Sequence, residues 1–547
     1  MRTELRAPLN QAPALVGHDV VGGDAALAEA VRRHGDESVL AELTGLGREA
    51  GSEEARHHGL AANENPPTLH PHDRHGHRVD EVRFHPSWHW LMERAVGHGL
   101  QAAPWESDDP HSHLRRAVGF FAWSQTEPGH GCPISMTYAA VPALRVDPEA
   151  AATWVPGLTA RAYDPSTRAP AAKTGLLAGM GMTEKQGGSD VRTNVTRAVP
   201  TGEDGLYTLH GHKWFTSAPQ NDVFLVLAQA PGGLTCFVMP RMLPDGTRNV
   251  FDVVRLKDKL GNRSNASSEL EFDGTLVRRL GDEGRGVRTI IEMVAATRLD
   301  CVLGSAALIR HSLAEASWHA AHRSAFGGLL ADKSLMRNVL ADLALESEAA
   351  TALAMRLATA VDRRDDPHEA ALRRIGLPLA KFWVCKRTPA AVAEALECLG
   401  GNGYVEESGL PLMYREAPLN SVWEGSGNVN ALDVLRALSR EPETLAAWVT
   451  EVGAARGANA HLDRAVDETL ALLGESATDE GAARLLATRM ATCLQGSLLV
   501  RHSPAEVSDL FCASRLGPGS GISAGAFGML VGGDQEFLVE RATPVVD

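Results

Sequence analysis

The spacing of hydrophobic residues changes at two points within the first 440 positions of the chain. Residues 1–174 keep mostly helical spacing. Between 175 and 286 the apolar residues fall instead into short alternating runs, which are separated by turn signals such as Pro-Gly-Gly at 231–233. These runs predict antiparallel strands at Tyr207–Leu209, Val223–Leu227, Thr235–Met239, Phe251–Leu256 and Ser268–Phe272.

Helical spacing returns at residue 287 and continues to 440. Long amphipathic segments with short breaks are typical of an antiparallel helix bundle. A further helical stretch, 441–547, becomes rich in glycine in its last part. The pattern therefore predicts an α+β, mostly α protein whose middle domain is antiparallel β. Its clearest helical series keeps an i, i+3, i+4, i+7 spacing at Ala350, Leu353, Ala354 and Leu357.

The length of 547 residues fits about three or four domains. Boundaries placed where the spacing changes give four domains: 1–174, 175–286, 287–440 and 441–547. Hydrophobic residues make up 44% of the chain and charged residues 22%, which excludes a disordered protein. The 53 basic and 68 acidic residues give a net charge of −15, which excludes a globally basic nucleic-acid binder.

Seven cysteines are scattered along the chain without the CxxC spacing of a metal site. Dispersed cysteines in an odd number are typical of reduced thiols in a cytoplasmic protein. The first ten residues lack the apolar core of a signal peptide. The longest uncharged stretches, 223–240 and 516–533, are interrupted by proline or glycine. We therefore expect a cytoplasmic protein that does not enter a membrane.

The first segment with candidate chemistry is MTEKQGGSD, at Met182–Asp190. Adjacent glycines allow a ligand to approach the backbone closely, and Thr183 and Ser189 offer hydroxyls to phosphate oxygens. A polar turn between strands is an equally good interpretation. The segment is neither a P-loop nor a GxGxxG fingerprint.

The second segment is GHKWFTSAPQND, at Gly211–Asp222. Trp214 and Phe215 beside Thr216 could form an aromatic wall with a polar tip, which suits a flat heteroaromatic cofactor. Taken alone, the segment is better explained as a strand whose aromatic side chains fill the β core.

The third segment is LNSVWEGSGNVNALDVLRAL, at 419–438. Glu424 lies between Trp423 and a flexible Gly-Ser-Gly, just ahead of an apolar helical run. A carboxylate in this setting can act as a general base, and it can equally be an acid that favours the start of a helix. The nearby LGGNGY, at Leu399–Tyr404, is another place where backbone can approach a ligand closely.

A histidine-rich stretch is the fourth candidate. Paired histidines can bind zinc or nickel, but no cysteine accompanies these, and proline and glycine interrupt any shared helix face. We interpret the stretch as a surface hairpin whose metal binding would be adventitious. No GxSxG elbow supports a hydrolase. The histidines are His70, His72, His75, His77, His85 and His89.

Seven segments occur together in an order that resembles the acyl-CoA dehydrogenase family of flavoproteins. The resemblance covers about residues 80–440. The variants MTEKQGGSD, KDKLGNRSNAS and FHPSWH are most similar to the AidB-like, adaptive-response branch, in which the likeness extends to both ends of the chain. The seven segments are MTEKQGGSD, GHKWFTS, KLGNRSNASSELEF (259–272), GDEGRG (281–286), HRSAFG (322–327), ECLGGNGY (397–404) and WEGSGN (423–428).

The resemblance implies the family fold, with an N-terminal helical domain, a middle β domain and a C-terminal four-helix bundle that builds a homotetramer. It also implies an FAD cofactor. Arg323 and Phe326 match residues that reach the FAD of a neighbouring subunit. The other positions matched to cofactor binding are Met182, Thr183, Gly188, Ser189, Trp214, Phe215, Thr216, Gly400, Gly401, Trp423, Ser426 and Asn428.

Glu424 matches the catalytic base of the family. The implied reaction is the α,β-dehydrogenation of an acyl thioester, in which a carboxylate removes the α-proton and the flavin accepts the β-hydride. An oxidase or hydroxylase on the same fold is a less favoured interpretation. Trp423 replaces the usual tyrosine, which predicts a narrower acyl pocket. Glu397 and Ser334 stand where many relatives carry glutamine, which predicts altered contacts with the neighbouring FAD.

The AidB-like branch also implies an alternative function, that of a flavin-bearing, DNA-associated stress-response protein with little metabolic turnover. Its DNA contact would lie in 441–547. That stretch holds seven arginines, no lysine and fifteen acidic residues, a net charge of −8. Because non-specific DNA affinity depends on cations that neutralise phosphates, the sequence argues against this role. Folding would have to gather Arg484, Arg489 and Arg501 on one surface.

Overall fold

The computed structural model describes residues 9–476, 478–518 and 526–546. The chain divides into two compact units. The first unit comprises Met1–Arg56, His113–Thr126 and Cys301–Asp547, and the second comprises His57–Ser112 and Glu127–Asp300. The division of the chain into four domains stays a prediction.

Helices predominate in the described residues, and every predicted strand is present, which confirms the α+β, mostly α fold. The helices are α1 (Ala25–His34), α2 (Glu37–Ala50), α3 (Glu53–Glu64), α4 (Pro86–Gly97), α5 (Ser112–Ser124), α6 (Gly131–Leu144), α7 (Pro148–Thr159), α8 (Gly286–Thr289), α9 (Ile291–His322), α10 (Ser334–Asp362), α11 (Pro367–Cys398), α12 (Leu410–Glu416), α13 (Gly427–Arg440), α14 (Pro442–Gly453), α15 (Ala460–Ser476), α16 (Ala483–His502), α17 (Ala505–Phe511) and α18 (Gln535–Ala542). The strands are β1 (Thr68–His72), β2 (Arg78–Arg83), β3 (Ala178–Gly181), β4 (Arg197–Pro200), β5 (Leu206–Ser217), β6 (Val223–Ala230), β7 (Gly233–Pro240), β8 (Phe251–Leu256), β9 (Ser267–Leu280), β10 (Ser324–Ala325) and β11 (Gly328–Leu329).

The second unit is built on a seven-stranded sheet. Its strand order is β3-β6-β4-β5-β9-β7, with β8 on β9, and an additional pairing of β6 with β7 closes five strands into a ring. Most pairs are antiparallel, as the sequence predicts, but β3 and β4 run parallel to β6. The hydrophobic pattern missed β3 because glycine occupies half of it. A Cβ at Gly179 would lie 2.6 Å from the ring of Phe224, so a larger residue does not fit there.

Both faces of β6 are covered, which explains its uninterrupted apolar run. Phe224 and Val226 pack into one buried cluster with residues of β5, β7, β8 and β9. Leu225 and Leu227 pack into another, which contains residues of α6 and α7. Side chains alternate along a strand, so consecutive apolar residues serve two layers.

The first unit is centred on α10 and α11, against which α1, α13, α14, α16 and α18 pack. The helices after residue 441 are therefore part of its core. Several charged groups inside it form ion pairs: the Arg356 guanidinium binds the carboxylates of Glu369 and Glu451 at 2.7 and 2.9 Å. Arg541 on α18 binds Glu29 on α1 and Glu348 on α10.

Four residues of the histidine-rich stretch, His70, His72, His75 and His77, lie in a hairpin, whereas His85 caps the start of α4 and His89 lies within that helix. β1, which carries His70 and His72, pairs antiparallel with β2. The Asp73 carboxylate accepts the backbone N–H groups of His75 and His77 in the connecting loop. In the described parts of the chain we find no group of three or more potential ligands that could hold a metal ion. None of the helices described there is long and apolar enough to cross a membrane.

Candidate active site

The segment MTEKQGGSD follows β3 and forms a closed turn. Glu184 and Gly187 exchange backbone hydrogen bonds of 3.1 Å. The backbone N–H of Trp214 donates to the carbonyl oxygen of Thr183 at 2.9 Å, so the turn is attached to β5. Asn194 donates its side-chain amide to the carbonyl oxygen of Met182 at 3.0 Å.

The far side of this turn faces solvent. Gly188 and Ser189 are exposed, whereas Met182 is partly buried against the core. A Cβ at Gly188 would lie 2.8 Å from the hydroxyl oxygen of Thr183. Glycine at position 188 therefore leaves backbone and hydroxyl groups open to a ligand.

Glu184 and Lys213 form an ion pair inside the second unit. The Lys213 ammonium lies 2.6 Å from the Glu184 carboxylate, and both side chains are completely buried. Burial alone raises the pKa of Glu184, but the Lys213 ammonium and the N–H of Val195 outweigh it and hold that pKa at about 2. Burial lowers the pKa of Lys213 to about 8. Because Glu184 belongs to the MTEKQGGSD turn and Lys213 belongs to β5, the buried pair anchors the turn to the sheet.

The end of β5 is irregular, because its pairing with β9 shifts between Lys213 and Thr216. Thr216 is completely buried, and its hydroxyl has no hydrogen-bond partner within the described residues. Phe215 is 50% exposed. Side chains alternate along the strand, so Ser217 shares the face of Phe215. The Thr216 hydroxyl is thus a buried polar group, and the hydroxyl of Ser217 lies 3.2 Å from that of Ser267 on β9.

Trp214 lies among cationic side chains. The Lys257 ammonium is 3.7 Å from the centroid of its ring, and Lys185 and Arg255 lie within 5.9 Å of it. Cation–π contacts of this kind hold a ring in place. The Lys257 ammonium also lies 4.4 Å from the centroid of the Phe215 ring. Phe215 is the more accessible of the two predicted aromatic residues because its side chain is exposed, whereas Trp214 is partly buried.

Glu424 lies on the loop before α13, with a half-buried side chain and a φ of +56°. Residues other than glycine rarely adopt this left-handed conformation, and it clusters at functional sites. The buried Lys381 ammonium donates to the carbonyl oxygen of Trp423 at 2.7 Å and to that of Gly425. Asn430 also donates to the Gly425 oxygen, at 2.6 Å. The backbone on both sides of Glu424 is thus fixed by buried donors.

Trp423 is fixed beside Glu424 by a chain of side-chain hydrogen bonds. Its indole N–H donates to the Asn420 side-chain oxygen at 2.8 Å. The Asn420 amide donates in turn to the hydroxyl of Ser305 on α9, at 3.1 Å. The sequence pattern missed Lys381, Asn420 and Ser305, although a single lysine in the apolar stretch LPLAKFWVC was a usable signal.

Four further predicted residues lie in the first unit. Ser426 precedes α13 without capping it through its hydroxyl, and the side-chain oxygen of Asn428 accepts a hydrogen bond from Arg484 at 3.2 Å. Gly400 and Gly401 are exposed in a short 3₁₀ helix, with open space where a Cβ would stand.

Arg323 and Phe326 belong to the β10–β11 hairpin. The Arg323 guanidinium donates to the carbonyl oxygen of Asn10. Phe326 is 94% exposed at the tip, with a φ of +52°. Glu397 and Ser334 are also exposed. Their effect on cofactor contacts stays a prediction.

The predicted residues divide between the two units. Those of the MTEKQGGSD turn and of β5 belong to the second unit, and all the others belong to the first. Within each unit, the residues of a predicted segment lie next to the side chains that hydrogen bond to that segment.

The arginines after residue 441 are mostly paired. Among the described residues, six of the seven have a carboxylate within 4.0 Å, and Arg484 alone has none. Folding therefore does not gather Arg484, Arg489 and Arg501 as a free basic surface. The pairs are Arg456–Asp467, Arg464–Glu468, Arg489–Glu468, Arg501–Glu451, Arg515–Asp342 and Arg541–Glu29.

Comparison with known proteins identifies the family. The AidB N-terminal domain of adaptive response proteins matches residues 10–165, the acyl-CoA dehydrogenase middle domain matches 179–275, and the C-terminal domain matches 284–439. AidB of Escherichia coli is 44% identical over 527 residues, which cover 95% of this chain and 96% of AidB. The chain belongs to the acyl-CoA dehydrogenase family. The predicted AidB-like branch is confirmed.

Other similar proteins belong to the same family or share its fold. Acyl-CoA dehydrogenase family member 11 of Caenorhabditis elegans is 31% identical over 91% of this chain and 87% of its own. The solved structure of C. elegans ACDH-11 in complex with C11-CoA has a TM-score of 0.85 at 28% identity, and it covers 93% of this chain and 91% of that one. The acyl-CoA dehydrogenase of Bacillus anthracis complexed with FAD has a TM-score of 0.62 at 18% identity, over 78% of this chain and 82% of that one, and shows the same fold.

Proposed function

We propose that this chain is an FAD-dependent dehydrogenase that converts an acyl thioester into its α,β-unsaturated form, with Glu424 as the base. The observation that carries the proposal is the strained, half-buried glutamate whose neighbours are fixed by Lys381, in a chain of this family. A base is effective when its carboxylate is held in one geometry before the substrate arrives.

The second unit offers a donor set that fits a flavin nucleotide. The MTEKQGGSD turn exposes the backbone at Gly188 and the hydroxyl of Ser189, which suit phosphate and hydroxyl oxygens. Phe215 presents an exposed ring beside Ser217. The Thr216 hydroxyl is a buried polar group without a hydrogen-bond partner in the described part of the chain. FAD, when bound, supplies the acceptor for a hydride.

In the proposed reaction, the Glu424 carboxylate takes the proton from the carbon α to the thioester carbonyl. The electron pair of that C–H bond forms the double bond as the β-carbon gives up its hydrogen as hydride, for which bound FAD would supply the acceptor. Lys381 keeps the Glu424 backbone in place, and Trp423 stands beside the base with its indole fixed by Asn420. The bulk of Trp423 narrows the room for the acyl chain.

We propose an acyl-CoA of medium chain length as the substrate, since the related C. elegans ACDH-11 was solved with C11-CoA. We also propose a homotetramer, because an aromatic ring as exposed as Phe326 is suited to a protein surface. A cytoplasmic location accords with seven free, buried cysteines.

Anaerobic mixing of the flavin-loaded protein with saturated acyl-CoAs, undecanoyl-CoA among them, tests the proposal. We expect loss of the oxidised flavin absorbance with at least one thioester. Glu424→Gln should keep the bound flavin and lose this reduction, whereas Glu407→Gln, at an exposed position, should behave as the wild type. Failure of every thioester to reduce the flavin would exclude the dehydrogenase.

A further inference from the structure

Two cationic side chains meet beside the start of α13. Arg484, on α16, donates to the Asn428 side chain at 3.2 Å, and its guanidinium carbon lies 5.6 Å from the ring centroid of Phe382. Lys386, on α11, packs across Gly427, where a Cβ would lie 2.8 Å from its Cε atom. We call Lys386 and Arg484 the cation pair.

The cation pair has no acidic partner. Both side chains are exposed, and neither makes an ion pair among the residues that the structure describes. The other six arginines after residue 441 are all paired. Partial burial, Arg484 and Lys381 all lower the pKa of Lys386, as expected for a lysine that has cationic neighbours.

Two neighbouring cations without a counter-ion repel each other, and a bound anion removes that cost. Lysine and arginine are the residues that bind phosphate oxygens, arginine through two N–H groups and lysine as a point charge. Arg484 also donates to Asn428. The sequence resemblance assigns Asn428 to cofactor binding, which favours a nucleotide as the anion.

We propose that Lys386 and Arg484 bind the phosphate groups of a nucleotide ligand at this active site. The two possible sources, the diphosphate of FAD and the phosphates of coenzyme A, share this chemistry. The inference rests on the proposed function and adds to it a role for α16. Through Arg484, the segment after residue 441 binds the ligand in addition to packing against the other helices of the first unit.

The test is a titration of the full-length apoprotein with four ligands, followed by fluorescence or calorimetry. FAD is compared with riboflavin, which lacks phosphate, and undecanoyl-CoA with undecanoyl-pantetheine, which lacks the nucleotide. We expect Arg484→Gln and Lys386→Gln each to raise the Kd of a phosphate-bearing ligand about tenfold, the loss of one charge-assisted contact, and to leave its phosphate-free analogue unchanged. Arg489→Gln on the same helix is the control, because Arg489 is paired with Glu468.

Weakened binding of FAD alone assigns the site to FAD, and weakened binding of the acyl-CoA alone assigns it to coenzyme A; both outcomes support the inference. Equal weakening of a ligand and its phosphate-free analogue, or Kd values that match the control, overturns it. A loss confined to retention of duplex DNA overturns it as well. If the wild-type protein binds neither FAD nor acyl-CoA, the proposed function is wrong. If the wild-type protein binds them and the Lys386 and Arg484 variants bind them equally well, only this inference is wrong.

Discussion

Lys381 is hydrogen bonded to the carbonyl oxygens of the residue before Glu424 and of the residue after it, and so fixes the backbone on both sides of the base. Lys381 is 1% exposed, so its ammonium depends on these two carbonyl oxygens for hydrogen bonds. An unsatisfied buried polar group costs about 1–3 kcal/mol. The geometry of the loop therefore depends on this lysine.

We expect Lys381→Met to lower kcat at least tenfold while KM and the flavin absorbance spectrum change little. The reason is that the loop carrying Glu424 loses its donor, whereas the MTEKQGGSD turn is untouched. Stopped-flow flavin reduction separates these quantities. A matching fall in flavin occupancy would mean that Lys381 serves only the stability of the unit.

The left-handed backbone of Glu424 predicts that the residue needed for activity lowers the stability of the folded protein. Glu424→Ala and Glu424→Gly both remove the base, but glycine adopts a positive φ without strain. We expect the glycine variant to be about 1 kcal/mol more stable than the alanine variant, and both to be inactive. Thermal unfolding of the two variants measures the difference, and equal midpoints would show that the conformation is relaxed.

The buried pair of Glu184 and Lys213 predicts strong coupling between two substitutions. Lys213→Met leaves the Glu184 carboxylate buried without its partner, which should cost about 3–5 kcal/mol and release bound flavin. The double variant Glu184→Gln, Lys213→Met should recover most of that loss. Denaturant titration of the single and double variants gives the coupling energy, and additive losses would contradict the expectation.

Two histidines of the first unit predict a loss of stability in acid. Burial and the neighbouring Arg33 lower the pKa of His34 to about 3 and that of His502 to about 4. Below pH 6.5 the unfolded chain binds protons at both rings that the folded chain binds only near pH 3–4, so stability falls as the pH drops through this range.

The variant His34→Asn, His502→Asn should therefore lose less stability than the wild type between pH 6.5 and 4. Thermal midpoints recorded across this range provide the measurement. Since His70 lies on the surface hairpin, His70→Asn is a suitable control. Identical pH profiles for the wild type and the double variant would refute the assignment.

The paired arginines after residue 441 predict little DNA binding. Phosphates would have to compete with carboxylates already at these guanidinium groups. We expect no salt-sensitive retention of duplex DNA at physiological ionic strength. Retention that weakens steeply with added salt would restore the stress-response interpretation.

Hydrophobic spacing accounts for the helices and strands of this fold but not for the contacts of single side chains. Spacing predicted the strands and the helical segments because burial follows periodicity. Lys381 was missed because a lone lysine has no periodic signal and its carbonyl partner lies 42 positions away. The irregularity in β5 leaves Thr216 buried, which the sequence pattern does not show because alternation cannot reveal a register shift. The sequence shows how many arginines follow residue 441, but only the fold shows which of them form ion pairs with carboxylates.

The bond of Arg541 to Glu29 has a consequence for synthesis on the ribosome. Because α1 and α18 belong to one unit, α1 leaves the exit tunnel more than 500 residues before its partner exists. The second unit ends at Asp300, so it can fold while the rest is still being translated. A nascent chain therefore carries Glu29 on α1 and Glu348 on α10 without their arginine partner until translation is almost finished. During this interval the chain would need chaperones.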